Sequence, residues 1–324
     1  GDGRVGMREQ AVDTIDVDLF SDTLTKPTRA MREAMLEAPV GDEQKREDPT
    51  TNALQERVAE MLGKQAAVFL PTGAMCNQVA LRVHCRQGDE FIIDRSYHIV
   101  NFEVGGSAAL AGAQAHTISG PRGIFTADDV RRAIRPRGSM HIPYSKLLCL
   151  EQTTNMGGGA VWPLADFREV SHVARDAGLK VHLDGARLMN AVVASGVEAR
   201  QWATCCDSLW IDFSKGLGAP VGAVLAGDRD FIEEAWRFKH QFGGALRQSG
   251  LLAAACLHAL DHHVGRLAHD HANARRLFAP RSPRPTWCSS TSTALAWTRL
   301  ASCASPRSTA CASARAPGLP ACGP

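Results

Sequence analysis

The sequence predicts an α/β protein whose large domain is built on a mostly parallel, seven-stranded sheet. Short apolar runs alternate with longer amphipathic stretches between about residues 17 and 278, which is the rhythm of successive βα units. Seven of the apolar runs have the length and composition of strands. The chain of 324 residues is long enough for one large α/β domain with an appendage.

Each element is predicted from its local pattern. The seven predicted strands are, in chain order, AAVFLPTG, EFIIDRS, AQAHTI, KLLCLEQT, LKVHLDGA, SLWIDF and GAVLAG. A helix is predicted to begin at Asp48, in the motif DPT, and to end at Gly63, because these residue types start and stop helices. A second helix is predicted in PLADFREVSHVARDAGL, and one or two more between Arg247 and Phe278.

Composition and charge exclude several classes of protein. The 36 basic and 34 acidic side chains give a formal net charge of +2, which is too balanced for a nucleic-acid or membrane-surface partner. The first residues form no apolar signal segment, and no run of about 18 apolar residues occurs. Six cysteines before residue 279 lack the spacing of a disulfide scaffold. We expect a cytoplasmic protein; because residue 1 is Gly, a removed mitochondrial presequence stays open.

The composition changes abruptly after Phe278. Residues 279–324 contain five arginines and no acidic residue, and they lack Val, Ile and Phe, so little is available to form a core. We expect an aberrant, disordered tail, and a changed reading frame near position 279 explains it better than a natural low-complexity extension. The chain then divides into an N-terminal segment (1–17), a large domain (18–250), the helical start of a small domain (251–278) and the tail (279–324).

Two polar residues stand where predicted strands end. Asp184 follows LKVHL, and Lys215 follows SLWIDF about one βα unit later. Ligands of open α/β sheets bind at the carboxyl ends of strands, and a desolvated lysine amine is a nucleophile toward carbonyl groups. Taken singly, Asp184 is explained equally well as a helix N-cap, and Lys215 better as a lysine that reaches solvent from a loop.

A third element completes a recognisable set. The strand AAVFL ends in a turn, Thr72-Gly73-Ala74, that opens a helix, and backbone N–H groups at a helix start form a site for a phosphate. A phosphate turn, a strand-end Asp and a strand-end Lys are the parts that bind pyridoxal 5'-phosphate. The combination is far more specific than any one of its members.

From about Asp18 to Phe278, the chain resembles the low-specificity L-threonine aldolases, which are fold-type I pyridoxal-phosphate enzymes. The matching segments are DLFSDTLTKPTRAMREAM, FLPTGAMCNQVAL, YHIVNFEVGG, LDGARLMNAVV, FSKGLGAPVG and GGALRQSGLLAAA. The resemblance implies a fold-type I transferase-like large domain, assembled as a homodimer or homotetramer. It also implies that most of the C-terminal small domain has no counterpart in this sequence.

The resemblance assigns chemistry to four residues. Lys215 would carry the cofactor as an internal aldimine, Asp184 would pair with the pyridine nitrogen, and His98 would stack on the ring. His141 would contact the β-hydroxyl of the substrate, although a structural role in the core is almost as good an explanation.

Binding roles follow in the same way. Gly73, Ala74 and Arg247 would bind the cofactor phosphate, while Ser21 and Arg187 would meet the substrate carboxylate or the phenolic oxygen of the cofactor. No metal is expected, because the histidines near residue 260 lack an HExxH pattern or a thiolate pair.

The implied reaction is cleavage of a β-hydroxy-α-amino acid, L-threonine or L-allo-threonine, to glycine and acetaldehyde. The sequence also departs from the family. Lys45 and Arg46 stand where a Tyr-Gly pair is usual, Thr154 replaces a common histidine, and Ala74 replaces a threonine. A catalytically weak or inactive remnant of the family is therefore the alternative.

Overall fold

The computed structural model describes residues 18–278; the predicted N-terminal segment and tail, residues 1–17 and 279–324, lie outside this part. The described residues form seven strands: β1 (Ala66–Leu70), β2 (Glu90–Asp94), β3 (Gln114–Ile118), β4 (Ser145–Glu151), β5 (Lys180–Asp184), β6 (Ser208–Asp212) and β7 (Ala223–Gly227). Their helices are α1 (Arg29–Leu36), α2 (Pro49–Leu62), α3 (Gly73–His84), α4 (His98–Asn101), α5 (Ala127–Ala133), α6 (Leu164–Asp176), α7 (Leu188–Ser195), α8 (Ala199–Ala203), α9 (Arg229–Gln241), α10 (Gly250–His262) and α11 (Leu267–Phe278).

All seven predicted strands are present, and they form one sheet in the order β1-β7-β6-β5-β4-β2-β3. Strand β7 runs antiparallel to both of its neighbours, while the other pairs are parallel. The predicted α/β class with a mostly parallel sheet is therefore confirmed. The antiparallel direction of β7 was not predicted, because an apolar run has the same composition in either direction.

Helix ends follow the local sequence signals. Helix α2 begins after Asp48, whose side chain accepts a hydrogen bond from Thr51 N at 2.9 Å, and it ends at Gly63 in the left-handed conformation. Helix α3 begins after Thr72, which accepts from Met75 N at 3.2 Å. The Thr72 cap fixes the point at which the chain leaves β1 and enters α3.

The sheet is buried on both faces, and one large core joins it to α2, α6, α7 and α10. Helix α10 packs against α1 and α2, and α11 packs against α7. Ala253, Cys256 and Ala259 of α10 lie in that same core, so the domain boundary predicted at residue 250 falls within a packed layer. All six cysteines of the described part are buried free thiols. Within residues 18–278, no helix combines the length and apolarity needed to cross a bilayer.

Candidate active site

Polar side chains gather at the carboxyl edge of the sheet. Asp184 ends β5, Glu151 ends β4 beside it in register, and Lys215 follows β6. His98 follows β2, and Gly73 follows β1. Because these strands are parallel, their ends lie at one edge, and the predicted Asp184, Lys215, His98 and Gly73 share it.

Asp184 is held by neutral donors. Its Oδ2 accepts from Asn77 Nδ2 at 2.8 Å, and its Oδ1 accepts from Ala186 N at 3.0 Å. The orientation of the Asn77 amide follows from Trp210, whose Nε1 can only donate and lies 2.7 Å from Asn77 Oδ1. Burial raises the pKa of Asp184, and the hydrogen bond from Asn77 only partly opposes that shift.

Asn77 also links Asp184 to a second buried carboxylate, Glu103. Asn77 Nδ2 donates to Glu103 Oε1 at 2.7 Å, and His98 Nδ1 lies 2.9 Å from the same oxygen. Burial alone would lower the pKa of His98, but the hydrogen bond to Glu103 and the nearby Asp184 raise it above its usual value. The Glu103 carboxylate accepts a hydrogen bond from Nδ1–H, so Nε2 is the free nitrogen of the neutral His98 ring.

Glu151 joins two loops of the same edge. Its carboxylate accepts from the backbone N–H of His98 at 2.8 Å and from that of Asn155 at 2.7 Å. Burial, followed by repulsion from Asp184, raises the pKa of Glu151 to about 8. Sequence reasoning missed Asn77, Glu103 and Glu151; the only available signal for Glu151 was a charged residue at the end of an apolar strand.

The side chain of Lys215 is part-buried, with 18% of its surface exposed. Its Nζ donates to Asp212 Oδ2 and lies 5.6 Å from the centre of the Trp210 ring. The carbonyl of Lys215 accepts from Gly218 N at 2.8 Å and from Thr25 Oγ1 at 2.7 Å. Gly218 has a φ of +80°, a backbone conformation that favours glycine, so the loop after Lys215 is shaped by its sequence.

Arg187 and Ser21 come together at this edge. Arg187 makes two parallel hydrogen bonds to the Asp22 carboxylate, at 2.8 and 2.7 Å, and its Nη1 lies 3.4 Å from Asn155 Oδ1. Burial would raise the pKa of Asp22, but Arg187 and then Lys215 hold it below its usual value. The half-buried Ser21 precedes Asp22 and accepts from Thr23 N.

The first turn of α3 has the geometry of an anion site. Ala74 is exposed at this helix start, and Gly73 is buried against the Trp210 indole. A Cβ on Gly73 would lie 2.2 Å from a ring atom of Trp210, so close packing already requires glycine there. The predicted partner Arg247 is exposed, and it lies 3.2 Å from Asp42. Gly244, from the loop that carries Arg247, packs against Met75 in the first turn of α3.

His141 is not brought to this edge. It is exposed in the loop before β4, so the length of β4 separates it from Glu151, a span of about 20 Å for seven residues. Within this chain His141 therefore lies away from Asp184 and Lys215, because its loop enters the opposite, amino end of the strand; its role as a substrate contact stays a prediction. A cavity of ≈ 340 Å³ also lies at this amino edge, where Arg137, Tyr144 and Lys146 line it.

Three departures from the family pattern have structural consequences. Arg46 adopts a left-handed backbone with φ of 61°, and its guanidinium pairs with Glu233 at 2.7 and 2.8 Å. Lys45 is exposed in the turn before it. Thr154 is buried and donates to the carbonyl of Arg122 at 2.9 Å, so the threonine fastens two loops together.

The described residues contain no group of three or more His, Cys, Asp or Glu side chains arranged to bind a metal ion. His258 and His262 lie on one side of α10, with ring centres 4.4 Å apart.

Comparison with known proteins gives the family. The model of the beta-eliminating lyase family matches residues 18–287. The chain belongs to this family. A low specificity L-threonine aldolase from Escherichia coli (strain K12) is 48% identical over 259 residues, which cover 80% of this chain and 77% of the E. coli protein. Low-specificity L-threonine aldolase 1 from Arabidopsis thaliana is 42% identical over 264 residues, or 81% and 74% of the two chains.

Solved structures support the fold assigned to this beta-eliminating lyase family member. A threonine aldolase from Leishmania major superposes with a TM-score of 0.72 at 21% identity, covering 79% of this chain and 76% of the other. A serine palmitoyltransferase from Sphingomonas wittichii gives a TM-score of 0.59 at 20% identity, covering 80% and 64%. Together with the sequence matches, they confirm the predicted family and fold class.

Proposed function

We propose that this chain is a pyridoxal-phosphate-dependent aldolase that cleaves L-threonine or L-allo-threonine to glycine and acetaldehyde. The observation that carries the proposal is a part-buried lysine amine, Lys215, after one strand and a buried carboxylate, Asp184, at the end of its neighbour. The named activity of the relatives from E. coli and A. thaliana supports the same reaction.

The residues present fit the cofactor. Asp184 is a buried carboxylate that accepts from neutral donors, and a protonated pyridine nitrogen is a cation that would offset its burial. The first turn of α3, at Gly73 and Ala74, offers backbone N–H groups to a phosphate, with Arg247 on a nearby loop. Lys215 would form the covalent bond. When bound, the cofactor supplies an electron sink for the charge left on Cα after the Cα–Cβ bond breaks.

His98 is suited to move a proton at its Nε2. Glu103 accepts a hydrogen bond from Nδ1–H and so fixes the tautomer, which leaves Nε2 free to take the proton of the substrate β-hydroxyl. Because Glu103 and Asp184 raise the pKa of His98, the imidazole must first lose a proton. Cleavage should therefore increase with pH as His98 becomes neutral. This proton transfer is separate from the predicted stacking of the His98 ring on the cofactor.

Arg187 is suited to bind the substrate carboxylate. Three of its five N–H groups are used by Asp22 and Asn155, which leaves two for a ligand. Asp22 keeps the guanidinium plane fixed, so the entropic cost of orienting Arg187 is met before substrate binds. Ser21 stands beside Asp22 and adds a hydroxyl donor.

We also propose that the protein is a cytoplasmic homodimer or homotetramer. Apolar side chains are exposed next to the His98 and Glu103 segment: Phe102 is 50% exposed, Leu110 45% and Val104 fully. A second copy of the chain would remove this apolar surface from water.

A coupled assay of acetaldehyde release from L-threonine tests the proposal. The intact chain supplied with pyridoxal phosphate should release acetaldehyde, and Lys215→Ala should not. Lys180→Ala is the matched control, since Lys180 is exposed at the amino end of β5 and pairs with Asp207 at 3.0 Å. Absence of acetaldehyde with the wild type, or equal rates for wild type and Lys215→Ala, would favour the inactive remnant.

A further inference from the structure

We infer that His263 is a positioning residue for Lys215, acting through a hydrogen bond to the loop that follows the lysine. The inference rests on the proposed role of Lys215. His263 closes helix α10, far from Lys215 in sequence, and its ring is 5% exposed. Its Nδ1 lies 2.7 Å from the carbonyl oxygen of Leu217. A carbonyl only accepts, so Nδ1 carries the proton and His263 is the donor.

The bond acts on the turn that fixes the Lys215 backbone. Gly218 N donates to the Lys215 carbonyl at 2.8 Å, which closes a turn with Leu217 at its centre. Gly218 sits at φ +80°, and a Cβ placed there would lie 3.5 Å from His263 Nδ1. His263 therefore contacts Leu217, one of the two central residues of the turn, and lies next to Gly218, the residue that ends it.

Two further contacts hold the same loop from the same side. Leu267, the first residue of α11, is fully buried, and a Cβ on Gly216 would lie 2.9 Å from its Cδ2. Cys256 of α10 packs against Gly222, where a Cβ would lie 2.9 Å from its Sγ. Helix α10 and the start of α11 thus form one wall along residues 216–222. His263 supplies the short hydrogen bond of this wall, and Cys256 Sγ adds a weak one to the Val221 carbonyl at 3.7 Å.

The neighbouring histidines provide controls that distinguish the proposed role of His263 from an effect that any histidine of this helix would have. His258 and His262 are on the same helix; the centre of the His258 ring lies 4.4 Å from that of His262, tilted to it, and 5.3 Å from that of His263, edge-on. His262 is exposed, so it makes a matched control for His263, which is buried. Among the three, the hydrogen bond to Leu217 belongs to His263.

The test compares His263→Leu with His263→Asn in the full chain. Leu and Asn share a branched shape, but only Asn has a donor at the place of Nδ1. In cofactor-free protein, limiting acetic anhydride labels Lys215 and the exposed Lys180, and mass spectrometry gives their ratio. Lys215 is shielded and paired with Asp212, so loosening the loop should raise the Lys215/Lys180 ratio. We expect His263→Leu to raise it about threefold or more, as the loss of one buried hydrogen bond allows.

A second readout uses the cofactor. Pyridoxal phosphate is added, borohydride reduces the product, and the pyridoxyl group on Lys215 is quantified. His263→Leu should reduce the yield at limiting cofactor by about threefold to tenfold, while His263→Asn and His262→Leu stay near wild type. A general loss of stability would change all lysines together and would not be corrected by Asn.

The outcomes are separable. An unchanged labelling ratio in folded His263→Leu overturns the positioning role, as does His263→Asn behaving like His263→Leu. If His263→Leu does not fold, His263→Ala replaces it in the same comparison with Asn. A wild type that never gains a pyridoxyl group on Lys215 contradicts the proposed function instead. In that case the labelling ratio still tests His263, because it is measured without cofactor.

Discussion

At the amino edge of the sheet, Glu90 is buried beside a cation, whereas at the carboxyl edge Asp184 and Glu151 are buried among neutral donors. Glu90 accepts from Arg135 Nη2 at 3.2 Å, and from Ser145 Oγ at 3.1 Å. Asp184 and Glu151 accept from an asparagine amide and backbone N–H groups. Both edges bury carboxylates, but Glu90 is hydrogen-bonded to a guanidinium, whereas Asp184 and Glu151 are not.

The difference shows where the fold leaves room for a ligand. Burying a charged carboxylate that is not hydrogen-bonded to a cation costs free energy, and this cost raises the pKa values of Asp184 and Glu151. Paired groups of that kind at a strand-end edge are typical of functional sites.

Asp184→Asn should have the largest effect on activity and little cost in stability. The amide keeps the shape but cannot hold a proton on a pyridine nitrogen, so aldol cleavage should fall by roughly 10²- to 10³-fold. Stability should fall by about 1 kcal/mol, because the new amide NH2 group faces the Asn77 donor while loss of the buried charge offsets part of that cost. Steady-state kinetics and urea unfolding measure the two effects. Full activity in the variant would contradict the assignment of Asp184.

Glu90→Gln should lower stability and leave activity almost unchanged. Removing the charge leaves Arg135 without its carboxylate, and we expect a loss of roughly 2–3 kcal/mol in the free energy of unfolding, less than for a fully buried pair. The turnover number should stay within about twofold of wild type, because Glu90 lies at the other edge. A variant that is stable but inactive would remove the contrast between the edges.

Glu151→Gln should change how stability depends on pH. The folded pKa of about 8 is above the ordinary value of 4.5, so the wild type gains its stabilisation at low pH and loses it as pH rises towards 8. The slope is at most about 1.4 kcal/mol per pH unit for one proton. The variant lacks this proton and should show a flatter curve between pH 5 and 8. Parallel curves from urea unfolding would show that Glu151 does not titrate there.

Val104→Gly should give the smallest effect, a gain of about 1 kcal/mol in stability. Val104 follows Glu103 at the carboxyl edge with φ of 53°, a strained conformation for a β-branched residue, and its side chain is fully exposed. Val104→Ala is the control, because alanine keeps most of the strain. Thermal unfolding of both variants measures the gain. Destabilisation by glycine would show that packing of the Val104 side chain against the proposed second copy outweighs the backbone strain.

The sequence was sufficient for the parts of the site that lie next to strand ends. Asp184 and Lys215 follow apolar runs, and parallel topology brings such ends together, so their convergence could be predicted. Asn77 and Glu103 could not, since they reach Asp184 from a helix and a loop, and only the fold sets that distance. The position of His141 also follows from the topology, because a residue that precedes a parallel strand lies at the amino edge of the sheet.

Family resemblance also placed Arg187 and Ser21 in the site, but not the Asp22 partner that occupies the guanidinium. Arg247 is exposed and paired with Asp42. Sequence matching therefore gave the loop that carries Arg247 but not the direction of its side chain. The wall formed by α10 was equally hidden. A helix of alanines and histidines predicts burial, not contact with one particular turn.

The most direct test of the central claim is the location of the cofactor bond. The full chain is mixed with pyridoxal phosphate, reduced with borohydride and digested, and the modified peptide is sequenced by mass spectrometry. The account predicts one pyridoxyl group on Lys215, within FSKGLGAPVG, and its loss in Lys215→Ala. Modification spread over exposed lysines with Lys215 untouched would contradict it.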